Sequence, residues 1–551
     1  MKFKHNKLRK PSNPRPDFVL YNRDKTKIKN KMTICDTTLR DGNQGFGINL
    51  SLEDKIKIAR KLSDFGIKFI EGGWPGTSNI VDHEFFKRIK KEKIKCKVSA
   101  VGMTRRADID PNEDQGLEIL VNSGADCITL VGKSWKLHVE KILETSLDEN
   151  LRMISESIKY IKSHNYEIIF DAEHYFDGYK ENPEYALETL KEAERAGASD
   201  IILCDTRGAS IPNEVYEITK QTNEIIKKPL GIHAHNDRGL ATANSLQAFM
   251  AGALHFQGTI NGIGERCGNA NLIEFVGNLE FGFGINTNLN LEMLTNISDY
   301  VYEISNLNRN HYLPFVGRYA FAHKAGLHGH AVQKIPSAYE NIDPSQVGNK
   351  RTILISSQAG LANIVSKAKE FGFKLKKEDP RAFEILKRIK DLEASGYNFE
   401  SANASLNLIY AKILGKKLEF FNLINWRAYV IGESNEIFSE SVVKLSMNDR
   451  KTMAAAEGNG PVNAFDIALK RALESYYPEL SEVNLTGYRV REIDVEKGTA
   501  AAVQVFIEFE RKGESWSTVG VSTNILEASE EALIDGYLYF LYKQTKTYKK
   551  R

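Results

Sequence analysis

An alternation constrains this chain more than any other feature. From Thr33 onward, short apolar runs of strand character alternate with longer stretches of helical period. Eight runs read as strands: Thr33–Leu39, Ile67–Glu71, Lys97–Val101, Cys127–Val131, Glu167–Asp171, Ile201–Cys204, Leu230–His235 and His255–Ile260. Between them lie helical patterns such as Ser51–Phe65, Leu147–Ser163, Pro183–Ala196, Pro212–Lys227 and Leu240–Ala251. Ser51 stands where a cap belongs, and Pro183 and Pro212 suit a first helical turn. Gly66, Gly124, Gly197 and Gly252 suit the stops. Eight strand–helix units in about 250 residues predict a (β/α)8 TIM barrel. The competing arrangement is an open doubly wound sheet, and its Gly-rich first turn is absent.

Past about residue 290 the period changes. Helices are expected at Leu291–Leu307, Ser356–Phe371, Pro380–Ser395 and Ser401–Leu414. Farther on, strands are expected at Trp426–Ile431, Ser441–Ser446, Glu482–Val495, Ala500–Glu510 and Trp516–Ser522. Helices are expected there at Val462–Ser475 and Ile525–Tyr542. The reading is a barrel over 32–290, helical linker subdomains over 291–421 and an α+β domain over 422–551.

Composition narrows the class. Of 551 residues, 42% are hydrophobic and 27% charged, which excludes a disordered chain. No apolar run approaches the ~18 residues of a membrane span. Residues 1–31 hold eleven Lys/Arg against two Asp/Glu, so a net charge of +3 hides a basic leader and a body at −6. That leader is expected to be a disordered extension, and nothing requires nucleic-acid binding. It has no apolar core and is no secretory signal, so a cytoplasmic location is expected, with organelle import left open. Cys35, Cys96, Cys127, Cys204 and Cys267 show no C-x-x-C spacing, as in a reducing compartment with buried free thiols.

Barrel chemistry sits where strands end. Polar residues are dense there: Thr37, Thr38, Arg40, Asp41 and Gln44 after strand 1; Asp171, Glu173 and His174 after strand 5; Asp205 and Thr206 after strand 6. His233, His235, Asn236 and Asp237 follow on strand 7, and Asn261, Glu265, Arg266 and Asn269 after strand 8. His233 and His235 stand at i and i+2, so both imidazoles leave the same face of a strand. With Asp41 as carboxylate they make a two-His, one-carboxylate site for Mg²⁺, Mn²⁺ or Zn²⁺, and Asn269 can supply an oxygen or hold a water. Arg40 can hold the carboxylate of a small α-keto acid beside that metal. Glu173 is a candidate acid/base. Asp205-Thr206 also reads as a turn cap. The glycines of Gly258 to Gly268 fit no dinucleotide fingerprint; they suit close backbone approach or a tight turn.

Three spaced motifs carry a family resemblance: Asp36-Thr-Thr-Leu-Arg-Asp-Gly-Asn-Gln44, His233-Ala-His-Asn-Asp237 and Gly262-Ile-Gly-Glu-Arg-Cys-Gly-Asn-Ala270. They resemble the signatures of the α-isopropylmalate/homocitrate/citramalate synthase family, acetyl-CoA-dependent Claisen-condensing TIM barrels. The resemblance spans about residues 32–551. Glu71-Gly-Gly-Trp-Pro-Gly76, Gly132-Lys-Ser-Trp135, Asp171-Ala-Glu-His-Tyr-Phe-Asp-Gly-Tyr179 and Gly258-Thr-Ile-Asn-Gly262 are similar to its citramalate-forming branch, which condenses acetyl-CoA with pyruvate and feeds isoleucine synthesis.

The resemblance implies that Asp41, His233 and His235 bind a divalent metal with Asn269. It implies that Arg40, Gln44 and Thr206 hold pyruvate and that Glu173 serves acid/base chemistry. Ala325-Gly-Leu-His328 and Tyr339 match residues that in family members reach a partner's active site, which implies a homodimer with His328 and Tyr339 acting in trans. Glu457-Gly-Asn-Gly-Pro-Val462 and Val519-Gly-Val-Ser522 match turns of the family's regulatory domain, which implies inhibition by isoleucine. Asn43, Arg207, Arg238 and Gly329-His330 depart from the usual pattern. Other acceptors (2-ketoisovalerate or 2-ketoglutarate), a lyase of the same superfamily and a silent amino-acid sensor are the alternatives.

Overall fold

The structure, a computed structural model, describes residues 32–76, 79–323, 331–332, 334–353, 360–433, 436–447, 450–493, 498 and 500–548. They divide into two units. Residues up to Phe321 with Ile342–Lys350 form the first, and Ala322–Asn341 with the chain from Arg351 the second.

In the first unit the apolar runs form β1 (Thr33–Asp36), β2 (Phe69–Gly73), β3 (Lys97–Met103), β4 (Cys127–Lys133), β5 (Glu167–Glu173), β6 (Asp200–Asp205), β7 (Leu230–Ala234) and β8 (His255–Gly258). All neighbours pair in parallel, and β1 pairs with both β2 and β8. The sheet is therefore a closed barrel without edges, and the open doubly wound alternative falls. Helices follow where caps allow. Ser51 and Asp54 exchange hydrogen bonds at the start of Leu52–Phe65, and Gly66 ends that helix at φ 104°. Helices Leu147–Ser163 and Pro183–Ala196 fall on their expected bounds.

Strand alternation decides what enters the barrel. Ile168, Phe170 and Ala172 of β5 pack into the large core beneath the helices. Ile169, one residue out of phase, joins Ile202, Cys204 and Phe69 in a small separate cluster. Asp171 and Glu173 share the face of Ile169 and so point inward above that apolar plug. β4 and β5 extend one pleat past their expected ends, which makes Lys133 and Glu173 their last rungs. Four cysteines are buried as expected; Cys267 differs and is exposed, because it lies on the loop after β8.

The second unit holds helices Leu361–Glu370, Pro380–Ala394 and Asn403–Ile413, packed around Ile364, Ile385 and Tyr410. Then one pattern occurs twice. β11 (Asn422–Glu433), β12 (Glu436–Met447) and β13 (Arg450–Gly458) form an antiparallel meander followed by helix Pro461–Glu474. β14 (Asn484–Glu492), β15 (Val503–Arg511) and β16 (Glu514–Ser522) form another, followed by helix Ile525–Tyr548. β13 was not expected from the sequence. The remaining pair, β9 (Ala322–His323) with β10 (Thr352–Ile353), is a two-residue ladder. Among the described residues no helix is long and apolar enough to cross a membrane.

Candidate active site

The turn after β1 sets the first part of the site. The Asp36 carboxylate accepts the Thr38 N–H and hydroxyl, both at 2.9 Å, and the Thr38 oxygen accepts the Ile260 N–H at 2.9 Å. This ties the loop after β1 to the loop after β8 and delivers Arg40 and Asp41 to the barrel rim. Asn43 has a local reason: its side-chain oxygen accepts the Leu50 N–H at 2.8 Å and pins the following loop.

Asp41, His233 and His235 converge, all buried, with candidate ligand atoms within 4.8 Å of one another. The Nε2 atoms of the histidines lie 3.3 Å apart, and Asp41 Oδ2 is 3.5 Å and 3.9 Å from them. The loop after β8 turns back beside His235, where the Asn269 N–H reaches Gly262 O at 3.0 Å. The Asn269 amide donates to Asp41 Oδ1 at 2.7 Å and leaves its own oxygen buried, without a partner among the described residues. Two glycines permit this. A Cβ on Gly264 (φ 152°) would sit 2.1 Å from the Asn269 amide nitrogen, and one on Gly268 (φ 86°) would sit 1.9 Å from Gly262 O. The glycine stretch thus serves the approach of Asn269.

Electrostatics favours one ionised carboxylate with two neutral imidazoles. Burial pushes His233 down to about 3 and lowers His235 as well. Burial opposes the charge on Asp41, but the Arg40 guanidinium holds its carboxyl below the ordinary carboxylate range. His233 Nδ1 lies 2.9 Å from Gln257 Oε1, and the Gln257 amide donates to Asp171 at 3.0 Å. Gln257 thereby assigns the His233 proton to Nδ1 and turns the Nε2 lone pair toward Asp41. Facing lone pairs, an ionised carboxylate and the orphaned Asn269 oxygen are donors without a proton between them, which fits a divalent cation.

Arg40 lies between two carboxylates. Its Nε and one terminal nitrogen bind Glu71 at 2.7 Å, and the other binds Asp41 at 2.7 Å. A guanidinium carries five N–H bonds; two are hydrogen-bonded, to Glu71 and Asp41, so others remain for a ligand carboxylate. Glu71 is fully buried, and burial raises its pKa. Burial and then the Glu71 charge push Asp171 well up.

The other expected residues of the barrel are spread around its rim. The Thr206 hydroxyl oxygen accepts the His174 N–H at 2.8 Å, keeping its own proton free to donate. Glu173 pairs with Lys133. Gln44 ends a short turn, Gly42–Gln44, and is exposed. Arg207 clamps Asp177 at 2.9 Å and 3.1 Å and lies over the Trp135 ring. Tyr339 belongs to the second unit, beside the turn Pro336–Ala338, and is half exposed. His328 and Gly329-His330 lie outside the described residues. Sequence reasoning passed over Glu71, Gln257 and Lys133 as participants; the signal available was a single polar residue on the inward face of an apolar strand.

A closed parallel barrel with this donor set beside a guanidinium at its C-terminal rim defines a barrel enzyme with a candidate divalent-metal centre. Family comparison narrows the class. The HMGL-like family matches residues 31–301, the homocitrate synthase post-HMGL domain 315–396 and the LeuA allosteric (dimerisation) domain 400–541. The chain is 47% identical to the (R)-citramalate synthase of Aquifex aeolicus over 93% of its length and 98% of that protein. It is 46% identical to the (R)-citramalate synthase of Geobacter sulfurreducens over 93% of its length and 97% of that protein. Identity to a 2-isopropylmalate synthase of Methanocaldococcus jannaschii is 33%, over 94% and 96%. The chain belongs to the (R)-citramalate synthase family, enzymes of the acyltransferase class.

Proposed function

We propose that the enzyme condenses acetyl-CoA with pyruvate to give (R)-citramalate and CoA. The observation that carries this is the convergence of Asp41, His233 and His235 beside Arg40, in a chain that aligns over 93% of its length with a citramalate synthase. Asp41, His233 and His235, with Asn269 beside them, would hold a divalent cation, Mg²⁺, Mn²⁺ or Zn²⁺, which supplies Lewis acidity toward a keto oxygen.

Arg40 takes the pyruvate carboxylate with its uncommitted N–H bonds, and Thr206 and Gln44 donate to the bound keto acid. A base drawn from Glu173, or from a partner's His328 and Tyr339, accepts a proton from the acetyl-CoA methyl group. The resulting carbanion attacks C2 of pyruvate, and the keto oxygen gains the proton that completes the tertiary alcohol. Water then cleaves the thioester and CoA leaves as the thiol. The regulatory unit pairs two copies into a homodimer, and isoleucine inhibits the enzyme as the end product of its pathway in the cytoplasm.

An acceptor panel tests the reading. Pyruvate, 2-ketoisovalerate and 2-ketoglutarate are each offered with acetyl-CoA, and thiol release is followed with and without chelator. Pyruvate should give the highest kcat/KM, and chelation should stop turnover. Preference for either other acceptor would sink the citramalate assignment. Isoleucine changing neither activity nor Tm would sink its regulatory part.

A further inference from the structure

We infer that Lys133 is a positioning residue for Glu173, its ammonium setting the orientation of the carboxylate that faces the barrel mouth. The inference rests on the acid/base reading of Glu173. Lys133 and Glu173 are the last rung of the parallel β4–β5 ladder, and the strand phase turns both side chains inward. Nζ is ion-paired with Glu173 Oε2. Among the described residues, Lys133 is the one side chain that donates a hydrogen bond to Glu173.

The backbones beneath the pair are locked. Asn150 donates its amide to Lys133 O at 2.9 Å, and the Ser134 N–H donates to Glu173 O at 3.0 Å. The lysine stem therefore starts from a fixed point, and Lys133 is 9% exposed. Lysines so withdrawn from water are rare without a specific partner.

The surroundings explain why Glu173 needs this cation. Asp171 lies one pleat below on the same face, and Cys204 lies on β6. His174 Nε2 is 3.9 Å from Oε1, with His138 beyond it at a ring-centroid distance of 4.0 Å. Burial, then the neighbouring His174, lowers the pKa of His138. Among the described residues, Lys133 is thus the one lysine or arginine ion-paired with Glu173. Without it the carboxylate turns toward His174 and is lost as an acceptor for the methyl proton.

The test is a double-mutant cycle on the metal-loaded, full-length enzyme, with Lys133→Met, Glu173→Gln and the double variant, plus Lys133→Arg. Pyruvate KM, kcat and exchange of the acetyl-CoA methyl protons with D2O are measured. Lys133→Met should lower kcat and methyl exchange on the order of 10²-fold, the cost of a misplaced reacting group. Pyruvate KM should move by less than about threefold, as for a group that acts after binding. The double variant should be no slower than Glu173→Gln, and Lys133→Arg should recover part of kcat at an unchanged Tm. The inference is overturned if Lys133→Met keeps its kcat, or if the two losses multiply. A fully active Glu173→Gln instead removes the acid/base reading itself, a result distinct from both.

Discussion

At the scale of single residues, the centre depends on groups that fix other groups. His233 meets Asp41 with the right nitrogen because Gln257 holds the opposite one. Gln257→Leu should weaken metal binding by about 10- to 100-fold, the usual cost of losing an outer partner. His233→Ala should abolish that binding, and metal titration of the purified variants reads both. Arg40 donates to both Glu71 and Asp41. A lysine there cannot keep both carboxylates and also take a substrate carboxylate. Arg40→Lys should lower kcat/KM for the keto acid by about 10- to 100-fold, mostly through KM, at the value of a charged hydrogen bond. Asp41, His233 and His235 were legible because a polar pair at i and i+2 on a strand end has few structural uses. Glu71 and Gln257 were not, since each is a lone polar side chain whose partners lie 24 to 86 residues away on another strand or loop.

At the scale of elements, the loop after β8 and the last helix carry clear consequences. Gly264→Ala puts a Cβ against the Asn269 amide at a backbone angle that L side chains rarely adopt. Metal affinity should fall while the far-UV circular dichroism of the barrel persists. Asp535, on helix Ile525–Tyr548, accepts the Ser405 hydroxyl at 2.6 Å, and burial pushes it up from 3.8 to about 7. Its folded state prefers the protonated form. Its contribution to stability is therefore whole below about pH 4, declines as the pH rises toward 7 and is lost above that. Asp535→Asn should flatten the pH dependence of Tm across that window, by at most about 1.4 kcal/mol per pH unit. Most elements were readable because their periods and caps agree. β13 was not, because Met453-Ala-Ala-Ala-Glu457 is rich in helix formers. Pairing with β12 overrides that propensity, and only the alternate burial of Thr452, Ala454 and Ala456 betrays a strand.

For the whole molecule, light scattering should give twice the 62.1-kDa chain mass if the LeuA-type unit pairs two copies. If Tyr339 serves a partner's site, Arg40→Ala and Tyr339→Phe proteins, each inactive alone, should regain activity after joint refolding. Failure to complement would place both functions in one chain. The eightfold alternation made the barrel legible before any coordinate, whereas the doubled meander-and-helix pattern was hidden because its two copies share burial and pairing rather than residues. The bond from Asn269 to Asp41 joins positions 228 apart in the chain. A nascent polypeptide thus carries Arg40 and Asp41 out of the ribosome long before β8 exists to answer them. Such a distant closure is slow to find and holds nothing until it is complete. If the centre takes up a metal, its capture therefore marks the moment at which synthesis of the barrel has finished, and an abandoned or truncated chain is left without the completed site.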